Sequence, residues 1–86
     1  MKLRLDSGDD AEARTFDGAV LTVLSPRAFA PGAPIRFSAT ADGESRSFEG
    51  RAIGSKRVDD VHFEVRLRLV NLRRANRELL AARLGN

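Results

Sequence analysis

The chain has 86 residues, 42% of them apolar and 31% charged, which describes one folded domain with no room for a separate catalytic domain and no disordered character. It has no cysteine, which excludes disulfides and thiolate metal sites and favours a reducing compartment. The net charge of +3 is uneven, −1 over residues 1–43 and +4 over residues 44–86, and Arg outnumbers Lys thirteen to two. GC-rich codon usage gives such an arginine excess, and so does a surface for an acidic partner.

In chain order, Met1 to Asp6 alternates Leu3 and Leu5 with Lys2 and Arg4, which predicts a short edge strand. Residues 7–12 are polar and read as a flexible turn. Nothing near the N-terminus has the apolar length of a signal peptide, and no segment approaches the roughly 20 apolar residues of a membrane span, so the expected compartment is the cytoplasm. Ala13 to Leu24 contains a strand with Ala19, Leu21 and Val23 on one face and Val20, Thr22 and Leu24 on the other, apolar enough to be partly covered on both sides. Ser25 to Pro34 holds all three prolines and reads as a loop, with a turn at Pro31-Gly32.

Ile35 to Ala41 is a strand whose inward residues are Ile35, Phe37, Ala39 and Ala41. Asp42-Gly43 predicts a two-residue type I′ hairpin, which sets Ala41 against Glu44 and Phe37 against Phe48. A second hairpin joins Ser47–Ser55 to Val61–Leu72. With Ser55 facing Asp60, Glu49 falls opposite Arg66 and Arg51 opposite Glu64 on the outer face. Inside, Gly50 meets Val65, Ala52 meets Phe63 and Gly54 meets Val61. From Asn71 to Leu84 the period changes to that of a helix, with Leu72, Ala75, Leu79 and Ala82 as its stripe, broadened by Leu80 and Leu84. Asn71 is the expected N-cap and Gly85 the C-terminal cap, and the helix is expected to close one end of the sheet.

Catalytic chemistry is not legible. The single histidine, His62, falls on the outward face of a predicted strand. Asp9-Asp10-Glu12 and Asp59-Asp60 lie in turn-like stretches and read as solvated loops. Gly50-Arg-Ala-Ile-Gly lacks the Lys-Ser/Thr ending and following helix of a phosphate loop. No enzyme and no cofactor or metal is expected.

The order of elements resembles the PilZ domain family of bacterial cyclic-di-GMP receptors. The resemblance is carried by Leu24-Ser25, Pro31 to Phe37, Phe48 to Ile53, Phe63 to Leu72 and the Arg77-Glu-Leu-Leu80 helix, and covers roughly residues 18–84. It implies a small antiparallel six-stranded β-barrel with one C-terminal helix closing it, and a single domain over residues 1–86. It also implies where a ligand would sit, and here the chain departs from the family. The only R-x-x-x-R runs from Arg73 to Arg77, on the predicted helix and not near the N-terminus. Of the D/N-x-S-x-x-G motif only Ser25 remains, because Val23 and Ala28 fill the acidic and glycine positions.

The resemblance therefore implies an adaptor that binds a protein partner in motility, type IV pilus function or cell polarity, without the usual cyclic-di-GMP binding. The candidate partner contacts are Arg27, Arg68, Arg73, Arg74 and Arg77, the arginines left over from the proposed pairings. One alternative is a cyclic-di-GMP receptor with a rearranged site in which Arg27, Arg73 and Arg77 meet around a phosphate. A second is a nucleic-acid-binding barrel, disfavoured because the only aromatics are five Phe and three of these belong to the expected core.

Overall fold

The computed structural model describes residues 1–85. Six strands, β1 (Lys2–Leu5), β2 (Asp10–Phe16), β3 (Val20–Ser25), β4 (Pro34–Ala41), β5 (Glu44–Arg57) and β6 (Phe63–Val70), precede one helix, α1 (Arg74–Leu84). The strands close into an antiparallel barrel in the order β1-β2-β3-β6-β5-β4. The chain thus forms two three-stranded meanders, β1 to β3 and β4 to β6. Equivalent strands join them, with β1 pairing β4 and β3 pairing β6.

The Asp42-Gly43 turn forms as expected. Both residues have positive φ, 54° and 81°, which suits the right-handed twist of the strands they join. Ala41 pairs with Glu44 and Phe37 with Phe48, and the two rings stack at 5.1 Å between centroids and 10° between planes. Around them Leu3, Leu21, Val65 and Leu67 fill the interior, each at most 1% exposed.

Several expectations are corrected. β1 is not an edge strand: it pairs with β2 on one side and β4 on the other. Residues 10–12 are not a turn but the start of β2, whose inward residues Ala11 and Ala13 are small enough to hide the alternation. Ala19 lies outside β3 and is exposed. The β5–β6 register differs by four residues at Gly50, which meets Leu69, while Ala52 meets Leu67. The reason is the turn. It spans Val58–His62, with Val58 N–H donating to His62 O, and an irregularity lies between Ala52 and Gly54. A four-residue slip keeps every side chain on its own face, so alternation alone does not fix it. Val61 is therefore in the turn and 63% exposed, Phe63 meets Arg57, and neither the Glu49–Arg66 nor the Arg51–Glu64 pair forms. Small-against-large packing survives, with new partners.

The helix begins at Arg74, not Asn71, and its N-cap is Arg73 with no side-chain bond. Asn71 instead takes φ 52° in the bend out of β6, and its side-chain amide donates to Glu49. Leu80 is fully buried and Leu79, Leu84 and Leu72 are half-buried, whereas Ala75 and Ala82 face solvent. The inward row is Asn76, Leu80 and Leu84, spaced by four. Gly85 does cap the helix, donating its N–H to Ala81 O, though from extended rather than left-handed backbone.

The opposite end of the barrel is covered by the loop after β3. Phe29 and Ala33 pack on the core. The Ser55 hydroxyl holds this loop twice, accepting from Phe29 N–H and donating to Phe29 O, each at 2.8 Å. Ser55→Ala removes both bonds and leaves two half-buried backbone groups without their partner. The expected cost is about 1–2 kcal/mol, read as a lower urea midpoint with an unchanged slope.

Candidate functional site

β3, Val-Leu-Thr-Val-Leu-Ser, carries no charge. Leu21, Val23 and Ser25 point inward, leaving Val20, Thr22 and Leu24 as a half-buried row on the outer face. Next to it β6 buries Val65 and Leu67 and turns Glu64, Arg66 and Arg68 outward. The pairing sets Arg68 between Val20 on one side and Arg51 of β5 on the other. Arg66 falls between Thr22 and Gly54.

Arg51 and Arg68 thus face each other directly across adjacent strands, with Arg66 next along β6. Among the described residues no carboxylate lies within ion-pair distance of any of the three. Arg51 donates to Gly32 O at 3.1 Å, a solvent-facing bond that leaves its charge unneutralised. Like charges directly opposite one another destabilise a sheet by a few tenths of a kcal/mol. The like-charged pairing itself gives the fold no attraction, and the Arg51 bond to Gly32 O is its one structural tie.

At the end of the row nearest the helix lies the β2–β3 turn. Asp17 accepts from Val20 N–H at 2.7 Å and Ala19 N–H at 2.9 Å. These backbone bonds hold its carboxyl below the ordinary aspartate range, and the nearby Arg66 charge adds to the effect. Arg77 reaches across from α1 and donates to Gly18 O. Arg77 thus reaches the turn just before Val20, the residue paired with Arg68.

The other candidate arginines are elsewhere. Arg27 pairs with Asp9 at 3.0 Å, at the end of the barrel away from the helix. The Asp9 carboxyl is held below its ordinary range first by the Ser7 hydroxyl and then by Arg27. Arg74 pairs with Glu78 along the helix at 3.6 Å. Arg73 lines an open groove of about 780 Å³ together with Arg4 and Arg36. Arg4 and Arg36 are matched there by Asp10 and Glu49, at 2.7 and 3.9 Å.

Ser25 is fully buried and committed to its own loop. Its hydroxyl accepts from Arg27 N–H at 3.1 Å and donates to Arg27 O at 2.9 Å. From this end to the Gly18 turn the chain runs the length of β3, about 17 Å at about 3.3 Å per residue. Arg27 and the helix arginines therefore do not converge, and the geometry imagined for a rearranged nucleotide site is not formed.

Sequence reasoning missed Arg51 and Arg66 because it assigned each a glutamate partner through the wrong register. The signal that could have found them is Asp59. Its carboxylate accepts from Val61 N–H at 2.8 Å and lies 3.1 Å from His62 Nδ1, which builds the turn later than expected. His62 is accordingly a half-buried turn residue and not an outward strand residue.

Among the described residues no group of three or more His, Cys, Asp or Glu is placed to hold a metal ion, and no helix is long and apolar enough to cross a membrane. Phe16, Phe37 and Phe48 are buried. Phe29 and Phe63 are half-buried at the end far from the helix, with Arg57 5.0 Å above the Phe63 ring. The arginine face therefore has no ring on which a base would stack.

Fold and site together describe a closed six-stranded barrel, capped by one helix, with a cationic outer face. Among known proteins, no family model, no curated protein and no solved structure matches this chain.

Proposed function

We propose that the protein is a non-enzymatic, PilZ-like adaptor that binds an acidic protein partner through the outer face of β5 and β6. The observation that carries this reading is the pair Arg51 and Arg68, opposed across the sheet with no carboxylate between them. Such a pair costs folding energy, and an acidic partner recovers that cost on binding. Planar guanidiniums also suit bidentate capture of carboxylates. Arg66 and Arg77 extend the surface, whereas Arg27 and Arg74 already have carboxylate partners. A cytoplasmic setting, and a place in motility, pilus function or polarity, rest on the composition and the family resemblance alone. A cyclic-di-GMP receptor is less well supported, since Ser25 is occupied and the arginines are dispersed. Nucleic-acid binding lacks its stacking platform.

Arg68→Glu tests the assignment with two opposed readouts. Facing Arg51 and following Arg66, the new carboxylate turns a repulsive pair into an attractive one. The domain is expected to gain a few tenths of a kcal/mol in thermal or urea unfolding. Partner recovery by crosslinking in the native cell is expected to fall at least tenfold. Undiminished recovery, or calorimetric binding of cyclic-di-GMP at micromolar concentration, would overturn the proposal.

A further inference from the structure

Arg51, Arg66 and Arg68 form a triangle on the outer face. Arg51 and Arg68 are directly opposed, which sets their Cβ atoms about 5 Å apart. Arg66 lies two positions from Arg68 along β6, about 6.6 Å away. It is diagonal to Arg51, at about 7–8 Å, a separation that long side chains span. One group above the face is therefore within reach of all three guanidiniums. Arg51 spends one N–H donor on Gly32 O and keeps the rest of its fork.

The space beside the triangle is open. Gly54 stands opposite Arg66 at the irregularity in β5, and a Cβ built there meets nothing within 4 Å. On the other side of Arg66 stands Thr22, a hydroxyl on an uncharged strand. The Arg66 charge acts on Asp17 at the β2–β3 turn, so three arginines less one aspartate leave +2. Arg77, which reaches the same turn, adds to that excess. A single carboxylate brings one negative charge and two oxygens. A phosphoryl group brings about −1.5 to −2 and three terminal oxygens, one for each guanidinium. We infer that the group received by the arginine triangle is a phosphoryl dianion on a side chain of the protein partner. The inference rests on the acidic-partner reading and names the acidic group.

The surroundings favour one such group over a charged polymer or a lipid surface. Glu64 is paired across the sheet with Lys56, and Glu12 holds the Met1 ammonium. Glu49 lies two positions from Arg51 on β5. Arg14 is a further exposed cation, at the irregularity in β2, but its charge acts on Glu12. An anionic membrane or a nucleic-acid backbone laid over this face meets these carboxylates. A single phosphoryl group centred on the triangle avoids them.

Three labelled peptides serve as probes, identical and uncharged except for one central residue, which is phosphoserine, glutamate or serine. Fluorescence anisotropy with the full chain gives affinities, and amide chemical shifts give the site. The phosphoserine peptide is expected to bind at least tenfold more tightly than the glutamate peptide and to shift Thr22, Gly54, Arg66 and Arg68. The serine peptide is expected not to bind. Phosphoserine takes up its second proton near pH 6, so its peptide is expected to weaken severalfold between about pH 7.5 and about pH 5. The glutamate peptide, with a pKa of about 4.3, keeps its charge over most of that range. Asp17 stays ionised too, since its backbone bonds hold its carboxyl below the ordinary range. His62 titrates in the same window but sits in the β5–β6 turn against Asp59, so His62→Gln is expected to leave the profile unchanged. Arg68→Gln is expected to remove the preference for phosphoserine, with a melting temperature no lower than that of the parent showing an intact barrel. Arg66→Gln is the second variant if Arg68→Gln unfolds.

Equal affinity for the phosphoserine and glutamate peptides overturns the phosphoryl group and leaves the acidic-partner reading standing. No binding of the phosphoserine peptide, or binding unaffected by Arg68→Gln, also overturns the inference, and crosslinked recovery with Arg68→Glu then decides the acidic-partner reading alone. Arg68-dependent binding to phosphatidylserine vesicles in place of the peptide overturns both.

Discussion

Leu80→Ala is expected to cost about 2–5 kcal/mol, a large part of the stability of an 86-residue domain. Leu80 is fully buried, the only helix residue so placed among those described, and it belongs to the same core as the strands. Leu84 packs partly buried against that core, and the polar ties of α1, the Arg77 bond to Gly18 O among them, are peripheral. Asn76 accepts from Arg46 at 3.0 Å, and Arg83 meets Asp42 at 3.3 Å. Neither replaces the lost apolar contact. Equilibrium urea unfolding checks the magnitude, and amide exchange in Ala75–Leu84 checks the mechanism. A helix that stays protected with a loss below about 1 kcal/mol would show that the cap is held by its rim, not by Leu80.

Gly50 is the other position where one substitution should have a large effect. A Cβ built there meets Arg68 O at 2.6 Å and Leu67 Cδ1 at 3.2 Å. The leucine can shift, but the carbonyl is part of the β5–β6 ladder and cannot move without opening it. Gly50→Val is expected to destabilise by about 3 kcal/mol, at the upper end of overpacking costs. Gly54 provides the comparison on the same strand. Its added Cβ meets nothing within 4 Å, so Gly54→Ala is expected to be neutral or slightly stabilising. Thermal unfolding of the two variants side by side separates close approach from the general weakness of glycine in strands. The Gly50 change should also disturb Arg68, whose backbone it strikes, and so weaken partner capture from inside the barrel.

The barrel and its helix were legible because the chain alternates cleanly where residues are large. Ile35, Phe37, Val65 and Leu67 mark their faces without ambiguity, and Asp42-Gly43 fixes one hairpin to the residue. Where inward residues are small, as at Ala11 and Ala13, the alternation fades and the start of β2 looks like a turn. The β5–β6 register was illegible for a different reason. A slip of four preserves the faces, and outer-face ion pairs are too weak to choose between registers when a turn built on Asp59 opposes them. That error also hid the site, because Arg51 and Arg66 become unpaired only in the true register. The helix face is only half legible, because Ala75 and Ala82 suit either solvent or core, whereas Leu80 and Leu84 do not.

The two meanders bear on how the molecule comes together. Within each half, neighbouring strands are joined by short turns and can meet early. The seams between halves, β1 on β4 and β3 on β6, join residues far apart in the chain. Bringing them together costs loop entropy before any contact returns it, so seam closure is the expected slow step of folding. Val20 and Arg68 meet across the β3–β6 seam. Arg51 and Arg68 already share the second half, whereas Val20 and the turn before it come beside them only once the two halves have joined.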